Sequence, residues 1–361
     1  MIIPFFIMNQ GCPNRCIFCN VHKTAGNHTG RITEDTFRET VYEYLSHKKQ
    51  NRDHVQIAFY GGNFTGMEKD YQAELLGFAG PFIKQGMVYD LRISTRPDNI
   101  DDDSLNLLKR FRVTTVEIGV QSLVDEVLSL SNRGHSSSDV MTATELLKDW
   151  GFKTGIHLMV GLPGDSRSGF EYTISKTIVL KPDMVRIHPT VVFQDTALAE
   201  MYESGDYTPL SMSEAIDMCK YALRRFEEAD IPIIRLGLQT TREMEKAGSI
   251  IAGPYHPAFR SLVEESIFLD MASSLLTAGG VLAKEVIFTV SPKDISSFHG
   301  HKNENIHALK KRYNLTGINV SVDHGQERRT LAMTVSGRKT KTNRLGGVVE
   351  KPFFRGLFKN A

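Results

Sequence analysis

Gly11-Cys-Pro-Asn-Arg-Cys-Ile-Phe-Cys-Asn20 is a cysteine-rich stretch that follows closely on an apolar run over residues 2–8. The apolar run predicts a first β-strand, and the stretch after it predicts a loop that carries Cys12, Cys16 and Cys19. Cysteine thiolates hold iron-sulfur clusters, and a cubane of four irons with three protein ligands leaves one iron open to a small molecule. We therefore expect these three cysteines to bind a 4Fe-4S cluster.

Two other interpretations of the cysteines stay open. A structural zinc site normally shows four ligands in two pairs, and His22 or His28 could supply a fourth ligand here. A disulfide fits less well, because three clustered cysteines cannot all pair and Cys219 stands far along the chain. Cys219 lies in a helical pattern, which predicts a small buried apolar residue.

The charge balance and the distribution of apolar residues limit the class of protein. The 361 residues carry a formal net charge of +1, which argues against strong overall attraction to nucleic acid or membrane but leaves room for a local basic patch. The N-terminal apolar residues lack a basic leader and a cleavage site, and no run approaches a membrane span. We therefore expect a cytoplasmic protein without membrane association. The reducing environment of the cytoplasm keeps thiolates from forming disulfides.

Short apolar runs alternate with amphipathic stretches over most of the chain. After the first strand, the predicted strands are His54–Tyr60, Val88–Thr95, Val113–Val120, Thr154–Val160 and Met184–Pro189. The predicted helices between and around them are Glu34–Lys48, Glu68–Gln85, Asp101–Phe111, Ser137–Trp150 and Ser168–Leu180. Strands separated by helices pair in parallel with right-handed crossovers. The sequence therefore predicts an α/β fold with a partial parallel (β/α)6 barrel.

The pattern changes towards the C-terminus. A helix over Ser211–Ala229 and the run Ile231–Leu236 extend or close the barrel, so residues 1–280 form the predicted barrel domain with a helical extension. The predicted elements that follow are Val286–Val290, a helix over Glu304–Tyr313, Gly317–Val322 and Thr330–Val335. Residues 281–361 are therefore predicted to form a small α+β appendage with an antiparallel ribbon and a basic tail.

Polar residues and glycines stand where the predicted strands end, which is where parallel α/β folds bind ligands. The candidates are Gly61, Gly62, Asn63, Arg96, Glu117, Gln121, Arg133, His157 and His188. Paired glycines let backbone groups approach a ligand, and a guanidinium suits a carboxylate or phosphate. The ordinary alternatives are a turn for the glycines, a surface ion pair for each arginine and a hydrogen-bonded core residue for each histidine.

The spacing of the cysteines, with Phe18 before the last one, resembles the cluster loop of the radical S-adenosylmethionine superfamily. The segments Thr95–Asp98, Glu117–Ser122, Arg133–His135, His157–Met159, His188–Thr190 and Gly253–Arg260 resemble the radical domain of the Elongator catalytic subunit and its short bacterial relatives. The resemblance covers roughly residues 3 to 265. It departs at Ser94 and Asn63, where Elongator or many superfamily members carry an acidic residue, and no coenzyme A loop is recognisable.

This resemblance implies two cofactors, a 4Fe-4S cluster on the three cysteines and S-adenosylmethionine on its open iron, which together yield a 5'-deoxyadenosyl radical. It also implies roles for the candidates. Gly61, Gly62, Asn63, Arg96, Gln121 and Arg133 are expected to bind the cofactor, and Glu117, His157 and His188 are expected to be catalytic. Glu117 could instead lie one layer down in the barrel. An external electron donor of the flavodoxin or ferredoxin type is the implied partner.

The resemblance leaves the substrate open. The segment from Arg338 to Ala361 combines basic residues with Phe353, Phe354 and Phe358, a composition compatible with phosphate contacts and base stacking. With the likeness to Elongator, this favours RNA, in particular tRNA, as substrate. The alternatives are a radical enzyme acting on a small metabolite, porphyrin or peptide, and an iron-sulfur protein that binds or transfers electrons without cleaving S-adenosylmethionine.

Overall fold

Seven parallel strands form the main sheet in the computed structural model. The structure describes residues 1–8, 10–20, 30–46, 54–278, 284–335, 338–343 and 348–351. The strands are β1 (Ile2–Phe6), β2 (Gln56–Tyr60), β3 (Asp90–Thr95), β4 (Val113–Gln121), β5 (Lys153–Val160), β6 (Met184–Pro189) and β8 (Ile233–Leu236). Their spatial order is β1-β2-β3-β4-β5-β6-β8. The predicted partial parallel barrel is confirmed, with one strand more than the six predicted.

Helices connect these strands and cover the apolar side of the sheet. They are α1 (Glu34–Ser46), α2 (Lys69–Phe78), α3 (Gly80–Lys84), α4 (Asp102–Arg110), α5 (Asp125–Leu130), α6 (Ser137–Asp149), α7 (Arg167–Leu180), α8 (Ala197–Ser204) and α9 (Met212–Glu228). Capping boxes at Asp101, Ser136 and Ser211 begin three of them. Two short strands, β7 (Val192–Phe193) and β9 (Ile250–Ala252), pair antiparallel beside the sheet.

The two faces of the parallel sheet differ in polarity. Side chains alternate along each strand, so Ile57, Ile93 and Ile118 lie fully buried on the face that the helices cover. The opposite face, called the inner face below, carries polar residues from neighbouring strands, among them Arg92 and Glu117. The apolar outer face stabilises the fold by packing against the helices, while the polar inner face provides side chains that can contact a ligand.

The C-terminal part of the chain has its own sheet and helices. The helices are α10 (Phe259–Ala278), α11 (Ile295–His299) and α12 (Glu304–Tyr313), and the strands are β10 (Glu285–Val290), β11 (Gly317–Val322), β12 (Thr330–Val335), β13 (Arg338–Asn343) and β14 (Val348–Lys351). The strand order is β11-β10-β12-β13-β14. The predicted α+β appendage is confirmed, although β11 pairs parallel to β10 while the other pairs are antiparallel.

The chain divides into two compact units. One comprises Met1–Met218 and Arg225–Pro257, and the other comprises Cys219–Arg224 and Ala258–Ala361. The predicted domain division at residue 280 stays a prediction. Of the helices in the described ranges, none combines the length and the apolarity needed to cross a membrane.

Candidate functional site

Backbone hydrogen bonds fix the cysteine loop against the loop that follows β2. The Ile7 N–H donates to the Tyr60 carbonyl at 2.8 Å, and the Asn63 N–H donates to the Gln10 carbonyl at 2.9 Å. The Asn63 side chain adds a third bond, from Nδ2 to the Gly11 carbonyl at 2.6 Å. The cysteine loop and the glycine loop therefore meet in one place at the carboxyl ends of β1 and β2.

Glycine is required where these two loops touch. A Cβ on Gly62 would lie 2.8 Å from the Gln10 carbonyl oxygen, and a Cβ on Gly11 would overlap the Asn63 carbonyl oxygen. Gly11 and Gly61 also have φ angles of +73° and +83°, in the left-handed region that favours glycine. The glycine pair predicted to hold a cofactor therefore also determines how closely the cysteine loop can approach.

Asn63 is fully buried, and its side-chain amide is saturated with hydrogen bonds. Besides its bond to Gly11, Nδ2 donates to Asn99 Oδ1 at 2.7 Å. Its Oδ1 accepts from Thr95 Oγ1 at 2.6 Å and from the Arg96 N–H at 3.1 Å. This side chain therefore ties the cysteine loop to the loop after β3. A direct cofactor contact by Asn63 stays a prediction, and its saturated amide favours a positioning role.

The three cysteines lie on one loop, and none of them forms a disulfide with a described residue. Cys12 and Cys19 are exposed and Cys16 is partly buried. Within the described residues, no three His, Cys, Asp or Glu side chains are grouped so that they could hold one metal ion. In a 4Fe-4S cluster each thiolate binds a different iron, so three thiolates on one loop are the ligand set that such a cluster needs. His22 and His28, the candidates for a fourth zinc ligand, lie outside the described residues.

Arg133 connects the cysteine loop with the end of β4. Its Nη1 lies 3.0 Å from Cys16 Sγ, and its Nη2 donates to the Gly119 carbonyl at 2.6 Å. The residue is only 6% exposed, and its Nε is buried with no partner among the described residues. A buried guanidinium is stable only beside negative charge or acceptors, and a cluster thiolate or a ligand carboxylate would supply them.

Gln121 reaches the same point from the end of β4. It has a φ angle of +68°, and the register between β4 and β5 shifts between Gly119 and Gln121. A Cβ on Gly119 would lie 3.2 Å from Gln121 Nε2 and 3.3 Å from Arg133 Nη2, so both side chains converge over this glycine. In the described part of the chain, the buried Gln121 Oε1 has no hydrogen-bond partner. A strained residue with an unsatisfied polar atom at a strand end is characteristic of a ligand site.

Arg96 lies beside the cysteine loop but already has a carboxylate partner. Its Nε and Nη2 donate to the two carboxylate oxygens of Asp98, each at 2.9 Å. Although Cys12 reaches solvent, the protein packed around its thiol and the neighbouring Cys16 raise the pKa of Cys12 above the ordinary thiol value, while Arg96 and Arg133 lower it. Arg96 therefore brings positive charge to the cysteines, and its predicted contact with a cofactor carboxylate stays a prediction.

Glu117 lies deeper on the inner face and is surrounded by partners. Its Oε1 accepts from Arg92 Nη1 at 2.7 Å, from Arg186 Nη2 at 3.0 Å and from the Tyr60 hydroxyl at 3.1 Å. Its Oε2 lies 2.5 Å from Arg186 Nε. Burial and the adjacent Glu117 raise the pKa of Tyr60 to about 12. This network favours the deeper structural position that the sequence left open, and the catalytic role of Glu117 stays a prediction.

His157 and His188 form a pair on neighbouring strands of the inner face. Their rings lie edge to face, with centroids 4.2 Å apart, and each Nε2 is buried without a partner among the described residues. Burial, with Arg186 and Arg133 nearby, lowers the pKa of His157 to about 3. Burial and His157 lower the pKa of His188 well below its ordinary value. Both imidazoles are therefore neutral at physiological pH, and a catalytic role for either stays a prediction.

Two contributors to this region were missed from the sequence. Arg92 holds Glu117 from the middle of β3. The available signal was the alternation of polar and apolar residues in DLRIST, which places Arg92 on the polar face of the strand. Asn132 supports the cysteine loop by donating from Nδ2 to the Arg15 carbonyl at 2.8 Å. No local pattern indicates that bond, because it joins residues that only the fold brings together.

The family of the chain follows from matches to two protein-family models, which together cover most of the first unit. Residues 6–176 match the radical SAM superfamily model, and residues 182–268 match the radical SAM C-terminal domain model. The chain belongs to the radical S-adenosylmethionine superfamily. Enzymes of this superfamily use a 4Fe-4S cluster and S-adenosylmethionine, the two cofactors predicted here. The cysteine loop and the buried cation beside it fit that pair.

Radical SAM proteins of the Elongator type are among those similar to the chain. A tRNA uridine(34) acetyltransferase of Methanocaldococcus infernus is 31% identical over 250 residues, covering 58% of this chain and 47% of that protein. Elongator complex protein 3 of Saccharomyces cerevisiae is 30% identical over 199 residues, covering 49% and 35%. The solved archaeal Elp3 of Methanocaldococcus infernus, deleted at the N-terminus, has a TM-score of 0.57 and 25% identity, covering 78% of this chain and 68% of that one. The chain spans about half the length of the curated relatives it matches.

Proposed function

We propose that this radical SAM enzyme modifies RNA, with tRNA as its substrate. One observation carries the enzymatic part: Arg133 reaches both Cys16 Sγ and the Gly119 carbonyl, so the cysteine loop and the end of β4 share one site. Cys12, Cys16 and Cys19 would hold the cluster there. The bound cofactors would supply the reductive cleavage of S-adenosylmethionine to methionine and a 5'-deoxyadenosyl radical.

The remaining roles belong to the protein itself. The backbone at Gly61 and Gly62 would hold the amino end of the methionine moiety, because a glycine pair lets backbone groups approach a ligand closely. Gln121 Oε1 and Arg133 Nε, both buried without partners among the described residues, would contact the polar groups of the same ligand. These residues bind and orient the ligand, and the inner face behind them restricts the access of water.

The first experiment separates an enzyme from a non-catalytic iron-sulfur protein. Anaerobic reconstitution with iron and sulfide, followed by reduction with S-adenosylmethionine present, should yield 5'-deoxyadenosine. Cys16→Ala should lose the cluster absorbance and the product, whereas Cys219→Ala should keep both, because Cys219 is a fully buried residue of the other unit. A reducible cluster that forms no 5'-deoxyadenosine would support the non-catalytic alternative. Equal loss in both variants would contradict the ligand assignment.

The RNA part of the proposal rests on the relatives and on basic residues of the second unit. Relatives of the chain are named for action on tRNA uridine 34, and Lys339 and Lys341 lie two residues apart on β13, hence on one face of the sheet. An external electron donor of the flavodoxin or ferredoxin type completes the proposal, since the radical SAM reaction consumes an electron. A cytoplasmic location belongs to it as well, because cysteines that are not in disulfides suit a reducing compartment.

RNA binding is tested by gel shift with bulk tRNA at low and moderate salt. We expect binding that weakens steeply with salt, and Lys339→Glu with Lys341→Glu should weaken it about tenfold, because lysine-phosphate contacts release counterions. Lys84→Glu, an exposed lysine on α3 of the first unit, is the matched control. The absence of binding at low salt would favour a small-molecule substrate over RNA.

A further inference from the structure

Basic side chains form a row across the inner face, next to the candidate site. In the parallel pairing, His157 on β5 is the register partner of Arg186 on β6, and Arg186 is the register partner of Arg235 on β8. His188 follows Arg186 by two residues on β6 and therefore points to the same face. Four basic residues from three adjacent strands thus converge in the first unit.

The positive charge of this row exceeds the negative charge that faces it. Glu117 is the carboxylate on its near side, and both of its oxygens are already taken by Arg92 and Arg186. Arg235 is half-buried and makes no hydrogen bond or ion pair with the described residues. Burial and the neighbouring Arg186 lower the pKa of the Arg235 guanidinium, and the opposite effect of Tyr60 and Glu117 does not offset them. A half-buried cation without a partner is costly unless a ligand pairs with it.

The two imidazoles beside Arg235 are also unsatisfied. Neither His157 nor His188 hydrogen-bonds to a described residue, and the Nε2 atom of each is buried. Buried polar atoms without partners are rare in folded proteins, and those that occur often await a ligand. Arg235 is one of the charges that acts on His188, and Arg133 of the candidate site is one that acts on His157. The row therefore extends from the cofactor end of the site to β8.

We propose that the inner face between β5 and β8 binds an oxyanion of the substrate, a carboxylate or a phosphate, with Arg235 as its counter-charge and His157 and His188 as hydrogen-bonding neighbours. The inference rests on the proposed function, which it deepens by stating what the substrate carries. A guanidinium presents paired N–H donors that match either oxyanion. A neutral imidazole adds a donor without further charge. Bound here, the substrate would lie next to the site that Arg133 and Gln121 form.

The test measures binding without turnover. Sodium acetate and inorganic phosphate are titrated separately into the reconstituted, unreduced protein, with sodium chloride holding the ionic strength constant, and the thermal unfolding midpoint is followed. Binding to the native state raises the midpoint, so a dissociation constant can be extracted for each probe. A response to acetate alone assigns a carboxylate, a response to phosphate alone assigns a phosphate, and both support the inference.

Variants locate the binding. Arg235→Gln should weaken the dissociation constant of the responding probe about tenfold, because one charge-assisted hydrogen bond is worth roughly that factor. Arg235→Lys should retain part of the affinity, which separates loss of binding from misfolding. Arg110→Gln, an exposed arginine at the end of α4, should leave it unchanged.

Three outcomes would overturn the inference. They are a midpoint that responds to neither probe more than to chloride, equal affinity in Arg235→Gln and wild type, and displacement of the probe by S-adenosylmethionine, which would assign the site to the cofactor carboxylate. None of these measurements uses a reductant. Failure here would therefore leave 5'-deoxyadenosine formation untouched, and failure of that reaction would leave the oxyanion binding measurable.

Discussion

Arg133 shows how a single side chain can combine structural support and ligand recognition. Its two terminal nitrogens reach Cys16 Sγ and the Gly119 carbonyl, while its Nε is buried without a partner among the described residues. The planar guanidinium makes these contacts in different directions from one rigid group. Arg133 can therefore contact the cysteine loop and a ligand at the end of β4 at the same time.

A lysine at this position tests that double role. Arg133→Lys keeps the charge but cannot reach both Cys16 and Gly119 with a rigid fork, so we expect the cluster to assemble and S-adenosylmethionine to bind about tenfold more weakly. Iron content and equilibrium binding of S-adenosylmethionine to the reconstituted protein are the measurements. An affinity equal to that of wild type would place the ligand away from Arg133.

At the scale of elements, the strand-helix alternation was predictable because each parallel strand is a short apolar run between amphipathic helices. The predicted strand Met184–Pro189 and the predicted elements Glu304–Tyr313, Gly317–Val322 and Thr330–Val335 are confirmed to the residue. The predicted helix over residues 68–85 is two helices, because Gly80-Pro81 interrupts the pattern. These elements were predictable because hydrophobic periodicity depends only on residues that are close to one another in sequence.

The elements that were missed depend on distant contacts. The 20-residue helix α10 was not predicted, and its apolar residues surround much of its axis instead of forming one stripe. The sequence assigns residues 338–351 to a basic tail, whereas the structure forms β13 and β14 there. Each is stabilised by pairing with its neighbour in the sheet, which the basic composition does not indicate. In the site, the residue types were predictable from strand ends, but the saturated bonds of Asn63 and the pairing of Glu117 needed the fold.

The junction between the cysteine loop and the glycine loop makes a prediction at this scale. Gly62→Ala would bring a Cβ within 2.8 Å of the Gln10 carbonyl oxygen, so the cysteine loop must shift and the reconstituted protein should contain less iron per chain. Gly77→Ala is the matched control, because it lies within α2 and its added Cβ would meet only one carbon atom, 3.9 Å away. That change should preserve the iron content and stabilise the fold by up to about 1 kcal/mol. Normal iron content in Gly62→Ala would show that the loops can separate without affecting the cysteines.

For the whole molecule, the buried titratable groups of the first unit make the free energy of unfolding depend on pH. Burial, with Arg133 and Arg96 close by, lowers the pKa of His135 to about 4, and His157 and His188 are shifted in the same direction. Asp165 opposes them, because burial raises the pKa of its carboxyl to about 6. Three histidines on one side and one aspartate on the other determine the sign of the net effect in mildly acidic solution.

The stability of the chain should therefore fall as the pH decreases from neutrality. Between about pH 6.5, the unfolded histidine pKa, and about pH 4, the folded pKa of His135, the unfolded chain binds a proton at His135 and the folded chain does not. Acid therefore favours the unfolded chain, and the free energy of unfolding decreases as the pH falls through this range. For one such histidine the loss between pH 6.5 and pH 5 is about 1.6 kcal/mol. Thermal unfolding midpoints of the reconstituted protein at pH 7, 6 and 5 should decrease in wild type and decrease less in His135→Gln. The exposed His324 provides the control, since His324→Gln should keep the wild-type slope. Equal slopes for His135→Gln and wild type would mean that His135 titrates as freely in the folded chain as in the unfolded one.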